Sequence, residues 1–314
     1  MTFTNREKKK ILNLNKKNVE ENIARELLKE TRLKRKWGIF FKSIFFAYLV
    51  MVFIFWLPES TEINLGEEGS VTALVKLDGI IGAGSGLSVA ELTGDLRRAF
   101  EDDRTKAVIL SINSPGGSPV QSSNLYNEIW RLRNEYPNKA IYAVIEDICA
   151  SGGYFVASAT NSIFANESSL VGSIGVRFDS FGFVDSLEKL GVERRLITAG
   201  QHKGMLDPFL PSNEQQVGHV RNLLGEIHKH FISSVRKGRA GKIKEAEEIF
   251  SGMIWTGRKG VDLGLVDDIG SVESVAREIV QAERIINFTR EKFPWEAGFG
   301  LFFRNFLNSL PNIY

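Results

Sequence analysis

The chain has 314 residues, 43% of them hydrophobic and 25% charged, with a formal net charge of +2; this is ordinary globular material, long enough for one large domain or two small ones. Its single cysteine, Cys149, excludes an intrachain disulfide, leaves redox compartment unreadable and is expected to be a buried, inert thiol. The charge is uneven: residues 1–36 hold 12 Lys/Arg against 5 Asp/Glu, so the rest of the chain is net acidic, and a basic segment on an acidic body is not the pattern of a nucleic-acid binder.

The basic segment runs into Trp37–Leu57, WGIFFKSIFFAYLVMVFIFWL, whose only charge is Lys42. At about 1.5 Å per residue it reaches roughly 31 Å, the depth of a bilayer's hydrocarbon core. Arg32, Lys34, Arg35 and Lys36 abut its start, and Pro58, Glu59, Ser60, Thr61 and Glu62 follow its end. Both runs are longer than those of a cleaved signal peptide. The expectation is a single-pass anchor, N-terminus in the cytoplasm and the remainder across the membrane, with Trp37 and Trp56 at the interfaces and Lys42 snorkelling. Residues 1–36 read as a solvated tail and 58–70 as a linker.

From Val71 strand and helix patterns alternate. Val71–Leu77 alternates like a strand, Ser88–Phe100 has helical periodicity, Ala107–Ile112 is a short apolar run suited to a buried parallel strand, Val120–Arg133 is helical and Ala140–Ile145 is a second buried strand. This order predicts an α/β domain with a mostly parallel sheet, whose ligands bind at strand ends facing helix starts. Gly82–Gly86, GAGSG, lacks the spacing of a phosphate loop and reads as a flexible loop.

Two glycine-rich turns fall at such strand ends. Ile148–Ser158, ICASGGYFVAS, places Ser151 at a helix start, where backbone N–H groups lack intrahelical partners and Gly152 lets a carbonyl approach. Ser151 is the candidate nucleophile; the same fragment would also suit a plain helix N-cap. Asn113–Ser118, NSPGGS, follows the neighbouring strand and would bring Gly116 or Gly117 beside Ser151 as a second oxyanion donor.

A serine nucleophile needs a base. Of the four histidines, His219, His228 and His230 lie on the periodic segment Asn213–Lys237, where a solvated face explains them, and His202 sits in a loop. Lys203, just after the strand-like Arg194–Ile197, can serve as a general base only if burial lowers its pKa from the usual value of about 10.4; taken singly, the same position reads as a surface lysine.

The ordered set NSPGGS at Asn113–Ser118, ASGGY at Ala150–Tyr154, GSIGV at Gly172–Val176, GxxK at Gly200–Lys203 and TGRKG…GLVD over Thr256–Asp267 resembles the signal peptide peptidase A family of serine peptidases over about Val71–Glu283. The resemblance implies the Clp protease/crotonase fold and a Ser/Lys dyad: Ser151 as nucleophile, Lys203 as base, Ser173 supporting the lysine, Gly116 and Gly152 at the oxyanion positions, and no cofactor or metal. It further implies peptide substrates, released signal peptides among them, a bacterial inner-membrane location, and a homo-oligomer whose sites are completed between subunits. No internal repeat is visible, as in the short, single-copy form, which makes a site shared between subunits plausible, with Ser151 and Lys203 from different protomers, and leaves pairing within one protomer open. The expected domains are thus 71–283 for the peptidase and 284–314 for a C-terminal segment, where Trp295, Phe299, Phe302, Phe303, Phe306 and Leu310 share one helical face suited to a membrane surface or to a protein neighbour. Two other classes compete with the peptidase: a crotonase-type acyl-CoA enzyme using Glu146 or Asp147, and a catalytically silent membrane scaffold.

Overall fold

The computed structural model describes residues 35–53, 69–82, 88–244 and 246–290. The chain divides into two units, Met1–Glu67 and Glu68–Tyr314. In the first, α1 (Arg35–Phe53) is a 19-residue helix of mean hydropathy 1.5, long and apolar enough to cross a membrane by length and composition. Its side chains are exposed throughout. The glycine loop at 83–86 and the aromatic segment from Pro294 lie outside the described residues.

The second unit is built on an eight-stranded sheet. Strand β1 (Val71–Asp78) leads to α2 (Val89–Glu101), β2 (Thr105–Ser114), α3 (Pro119–Glu135) and β3 (Ala140–Ala150). Serines cap both helices: Ser88 accepts from Glu91 N and Ser118 from Gln121 N, with Pro119 at the first helical position, where its missing N–H costs nothing. Beyond β3 come α4 (Gly152–Ala157), β4 (Ser162–Ala165), β5 (Leu170–Gly172), α5 (Val184–Lys189), α6 (Glu214–Gly238), β6 (Ile254–Thr256), α7 (Gly257–Leu263), β7 (Asp268–Ile269) and β8 (Ile285–Asn287). The main strand order is β6-β5-β3-β2-β1-β8, with β4 pairing β3 and β7. Every pairing is parallel except β5 with β6.

Strand β3 is longer than its apolar run suggests because it changes partner. Tyr142–Ile145 pairs with β4, and Ile148–Ala150 pairs with β5. The exposed pair Glu146 and Asp147 marks the crossover. The second half carries the chain straight to Ser151.

The sheet's two faces are buried differently. Leu92, Leu96 and Phe100 of α2, Leu125 and Ile129 of α3 and Tyr154 of α4 pack into the main core, while Ile109, Val144 and Phe164 meet Val275, Ala276 and Val280 in a smaller cluster. At roughly 25 cal/mol per Å² of apolar surface removed from water, these interlocked layers are the chief source of stability.

The strand expected at Arg194–Ile197 does not form. Between Ser173 and Asn213 the only regular element is α5, six residues with none buried. No neighbouring strand offers hydrogen bonds there. Arg194 instead pairs with Asp207 at 3.0 Å, Arg195 with Glu193 at 2.8 Å, and Ile197 is 95% exposed.

Candidate active site

Ser151 sits between β3 and α4 with φ 51° and ψ −119°, a combination that residues carrying a Cβ rarely adopt. Two backbone bonds impose it: Ser151 N donates to Gly172 O at 2.8 Å, and Phe155 N donates to Ser151 O at 2.9 Å. The side chain makes no capping hydrogen bond, so the N-cap explanation of this serine fails. The hydroxyl instead lines a cavity of about 750 Å³.

That cavity draws its walls from separate stretches of chain: Gly116 and Gly117 from the NSPGGS turn, Ser151 and Gly152 from the start of α4, and Ser173 from the turn after β5. Ser173 also has positive φ, 52°, and its N–H donates to Met253 O at 2.7 Å.

The glycines at the site are fixed by contact. Gly116 has φ 104°, and a Cβ there would lie 2.8 Å from both Gly152 N and Ser151 Cβ. A Cβ at Gly152 would run into Ser122 Oγ and come within 3.2 Å of Gly117 N. The two turns therefore meet backbone to backbone, a closeness only glycine permits.

Their N–H groups differ. Gly116 N already donates to Ser114 Oγ at 3.2 Å, whereas Gly117 N and Gly152 N have no acceptor among the described residues. Gly152 opens α4, so its N–H is one of the orphan donors of a helix start.

Lys203 is placed elsewhere. It is exposed, its backbone N–H closes a turn onto Gly200 O at 3.1 Å, and its side chain is not among the groups lining the Ser151 cavity. One chain thus brings together Gly116, Ser151, Gly152 and Ser173 without Lys203.

The histidines divide. His202, His219 and His230 are exposed. His228 places Nε2 3.1 Å from Ile174 O, tying α6 to the segment just beyond Ser173, and His230 lines the cavity itself. The solvated face expected from the helical period thus holds for His219 and His230, and only His228, half-buried against Ile174 O, departs from it.

The competing carboxylates are not at the site. Glu146 accepts a hydrogen bond from Ser111 Oγ, and burial followed by repulsion from Glu146 pushes the Asp78 carboxyl up. Neither Glu146 nor Asp147 lines the cavity, whose one carboxylate among the described residues is Asp179, 3.4 Å from Arg177. Cys149 is fully buried and burial pushes its thiol far above the ordinary range, the inert state expected of it.

Comparison with known proteins gives the chain a family. Residues 134–285 match peptidase family S49. A candidate protease of Synechocystis sp. is 30% identical over 203 residues, 64% of this chain and 70% of that protein. The chain belongs to peptidase family S49. Its sheet and helices are accordingly those of the Clp protease/crotonase-like fold. A candidate signal peptide peptidase of Enterococcus faecium is 30% identical over 195 residues, 62% of this chain and 56% of that protein. A Brucella abortus protein named Na(+)/H(+) antiporter NhaA is 46% identical over 192 residues, 61% of this chain. The S49 chain spans only 26% of that protein, so most of what carries the antiporter name lies outside the match.

Proposed function

We propose that this S49 chain is a membrane-anchored serine endopeptidase acting through a Ser151/Lys203 dyad on released signal peptides and other membrane-associated peptides. The observation that carries the reading is Ser151 itself: a serine with positive φ, no capping bond and an open cavity before it, beside two N–H groups that lack acceptors among the described residues. Ser151 Oγ attacks the peptide carbonyl, and the neutral Lys203 amine takes its proton and returns it to the leaving amine. Water then hydrolyses the acyl-enzyme.

The oxyanion falls to Gly152 N–H and Gly117 N–H. Gly116, the position the resemblance implies, supplies the close backbone contact but spends its N–H on Ser114 Oγ. Each donor in such a hole is worth about 2.7 to 4 kcal/mol.

Lys203 reaches Ser151 from a neighbouring subunit in this reading, with Ser173 helping to hold it. Its exposure in one chain favours this, as do the apolar side chains on the same excursion, Phe181 at 76%, Leu190 at 75% and Ile197 at 95% exposed, an unusual cost for a surface facing only water. Helix α1 anchors the protein, and the basic residues ahead of it favour a cytoplasmic N-terminus with the catalytic unit outside. An active-site serine probe on the detergent-solubilised protein tests the reading. Labelling is expected at Ser151, lost in Ser151→Ala and reduced at least 100-fold in Lys203→Ala; full labelling of either variant overturns it.

A further inference from the structure

The peptide joining Gly116 to Gly117 decides whether an oxyanion formed at Ser151 meets a donor or an acceptor. A trans peptide holds its C=O and N–H on opposite sides of one plane, and no cis bond occurs among the described residues. Gly116 O accepts from Ile81 N at 2.9 Å, so the Gly117 N–H of the same plane points away from Ile81. It lies against the start of α4, where a Cβ on Gly152 would come within 3.2 Å of Gly117 N. Turned over, the plane would present Gly116 O to the site in place of an N–H.

Sterics do little to prevent that turn. The plane lies between two glycines, at φ 104° and 153°, and a peptide flanked by residues without a Cβ rotates at small cost. Its orientation therefore rests on hydrogen bonds. Ile81 N holds Gly116 O, and Ser118 N donates to Ile81 O at 2.7 Å, which pins the turn to the loop after β1.

The remaining tie is a side chain. Ser114, the last residue of β2, is 0% exposed. Its hydroxyl donates to Gly79 O at 2.6 Å and accepts from Gly116 N at 3.2 Å. A hydroxyl has one proton to give, so both roles are fixed. One bond holds the peptide plane just before Gly116, and the other holds the loop that carries Ile81, whose N–H holds the plane just after.

We propose that Ser114 is a positioning residue for the oxyanion hole: by tying Gly79 O to Gly116 N, its hydroxyl keeps Gly117 N–H aimed at the reaction site of Ser151. The proposal rests on the peptidase reading for the oxyanion itself and adds what holds its second donor in place. Ser114 touches no substrate and acts through Gly117. Without the hydroxyl, Gly79 O and Gly116 N lose a shared partner, and the plane between the two glycines is free to turn its carbonyl toward the site.

Replacing oxygen by sulfur in the substrate separates this role from a structural one. The full chain in detergent is given acetyl-Ala-Leu methyl ester and the matching thionoester, in which sulfur replaces the carbonyl oxygen. Sulfur is larger and a weaker acceptor, so N–H groups set for an oxygen stabilise it less. The unaltered protein is expected to favour the ester by about 100-fold in kcat/KM, and Ser114→Ala by less than about ten-fold. The ratio cancels the amount of folded protein and the intrinsic reactivity of the two compounds, so a loss of stability alone does not move it. Ser114→Thr keeps the hydroxyl and is expected to retain the preference; Ser114→Val, of the same shape without it, is expected to lose it. That pair carries the comparison if the alanine variant does not fold. No ester preference in the unaltered protein, an undiminished preference in Ser114→Ala, equal preferences in Ser114→Thr and Ser114→Val, or failure of all three variants to fold overturns the proposal. If the unaltered protein hydrolyses neither compound the proposal also falls, and labelling of Ser151 by the serine probe then shows whether the peptidase reading falls with it.

Discussion

At Ser151 a side chain is held out toward a cavity by a backbone conformation that costs about 1–3 kcal/mol. A glycine would accept φ 51° without that cost, so Ser151→Gly is expected to be inactive yet more stable than Ser151→Ala by about 1 kcal/mol, read as a higher Tm in detergent. Equal melting of the two would mean that Ser151 is unstrained. Gly152 invites a complementary test. A Cβ there strikes Ser122 Oγ and crowds Gly117 N, so Gly152→Ala should lose both stability, by about 2 kcal/mol, and peptide cleavage, by more than 100-fold. Adding Ser122→Ala removes the first clash and not the second. The double variant is therefore expected to regain most of its Tm and none of its activity; recovery of cleavage would show that Gly117 N–H is not an oxyanion donor.

Among the elements, the end of α6 is tied to the chain leading into β7 by an ion pair buried on its arginine side. Arg239, 1% exposed, bonds Asp267 Oδ2 at 2.6 Å, and Asp267 also takes Lys242 Nζ at 2.9 Å and Ile163 N–H at 2.7 Å. Burial on its own would raise the Asp267 carboxyl; the bonds from Arg239, Lys242 and Ile163 outweigh it and hold the group below the ordinary carboxylate range. A depressed carboxyl contributes stability that is present above its unfolded value of about 3.9 and lost as pH falls through the lower folded value. Asp267→Asn, which leaves Arg239 buried without its counter-ion, is expected to cost about 3 kcal/mol at pH 7, with the deficit narrowing as the pH falls below about 4. A deficit constant with pH would assign the loss to packing. This pair also shows what was legible in the sequence: the GLVD motif announced itself, as did β1, β2, α2, α3 and α6, because their apolar periods and caps are local. Local patterns could not reveal that Asp267 meets Arg239, that β3 changes partner at Glu146, or that His228 of α6 reaches Ile174 O beside Ser173. Each of those depends on chain far away in sequence.

For the whole molecule the same limit explains why four of the five expected site residues, Gly116, Ser151, Gly152 and Ser173, converge in one chain and Lys203 does not. The four belong to strand ends of one sheet, and strand order fixes their meeting. Lys203 lies on an excursion with no strand and few buried side chains, where nothing in a single chain dictates its partner. If the partner is a second copy, two inactive variants must repair each other. A Ser151→Ala subunit still carries Lys203, and a Lys203→Ala subunit still carries Ser151. When equal amounts are co-expressed so that subunits assemble at random in a closed ring, about one site in four has serine from one kind and lysine from the other. Cleavage of a peptide by the mixture is expected to reach roughly a quarter of the unaltered activity, while each variant alone has none and two separately assembled preparations, combined without exchange, also have none. Dyads formed within a single protomer predict zero in every arm. A co-assembled mixture that stays inactive would place Lys203 in its own subunit's site and require the excursion to swing in toward Ser151.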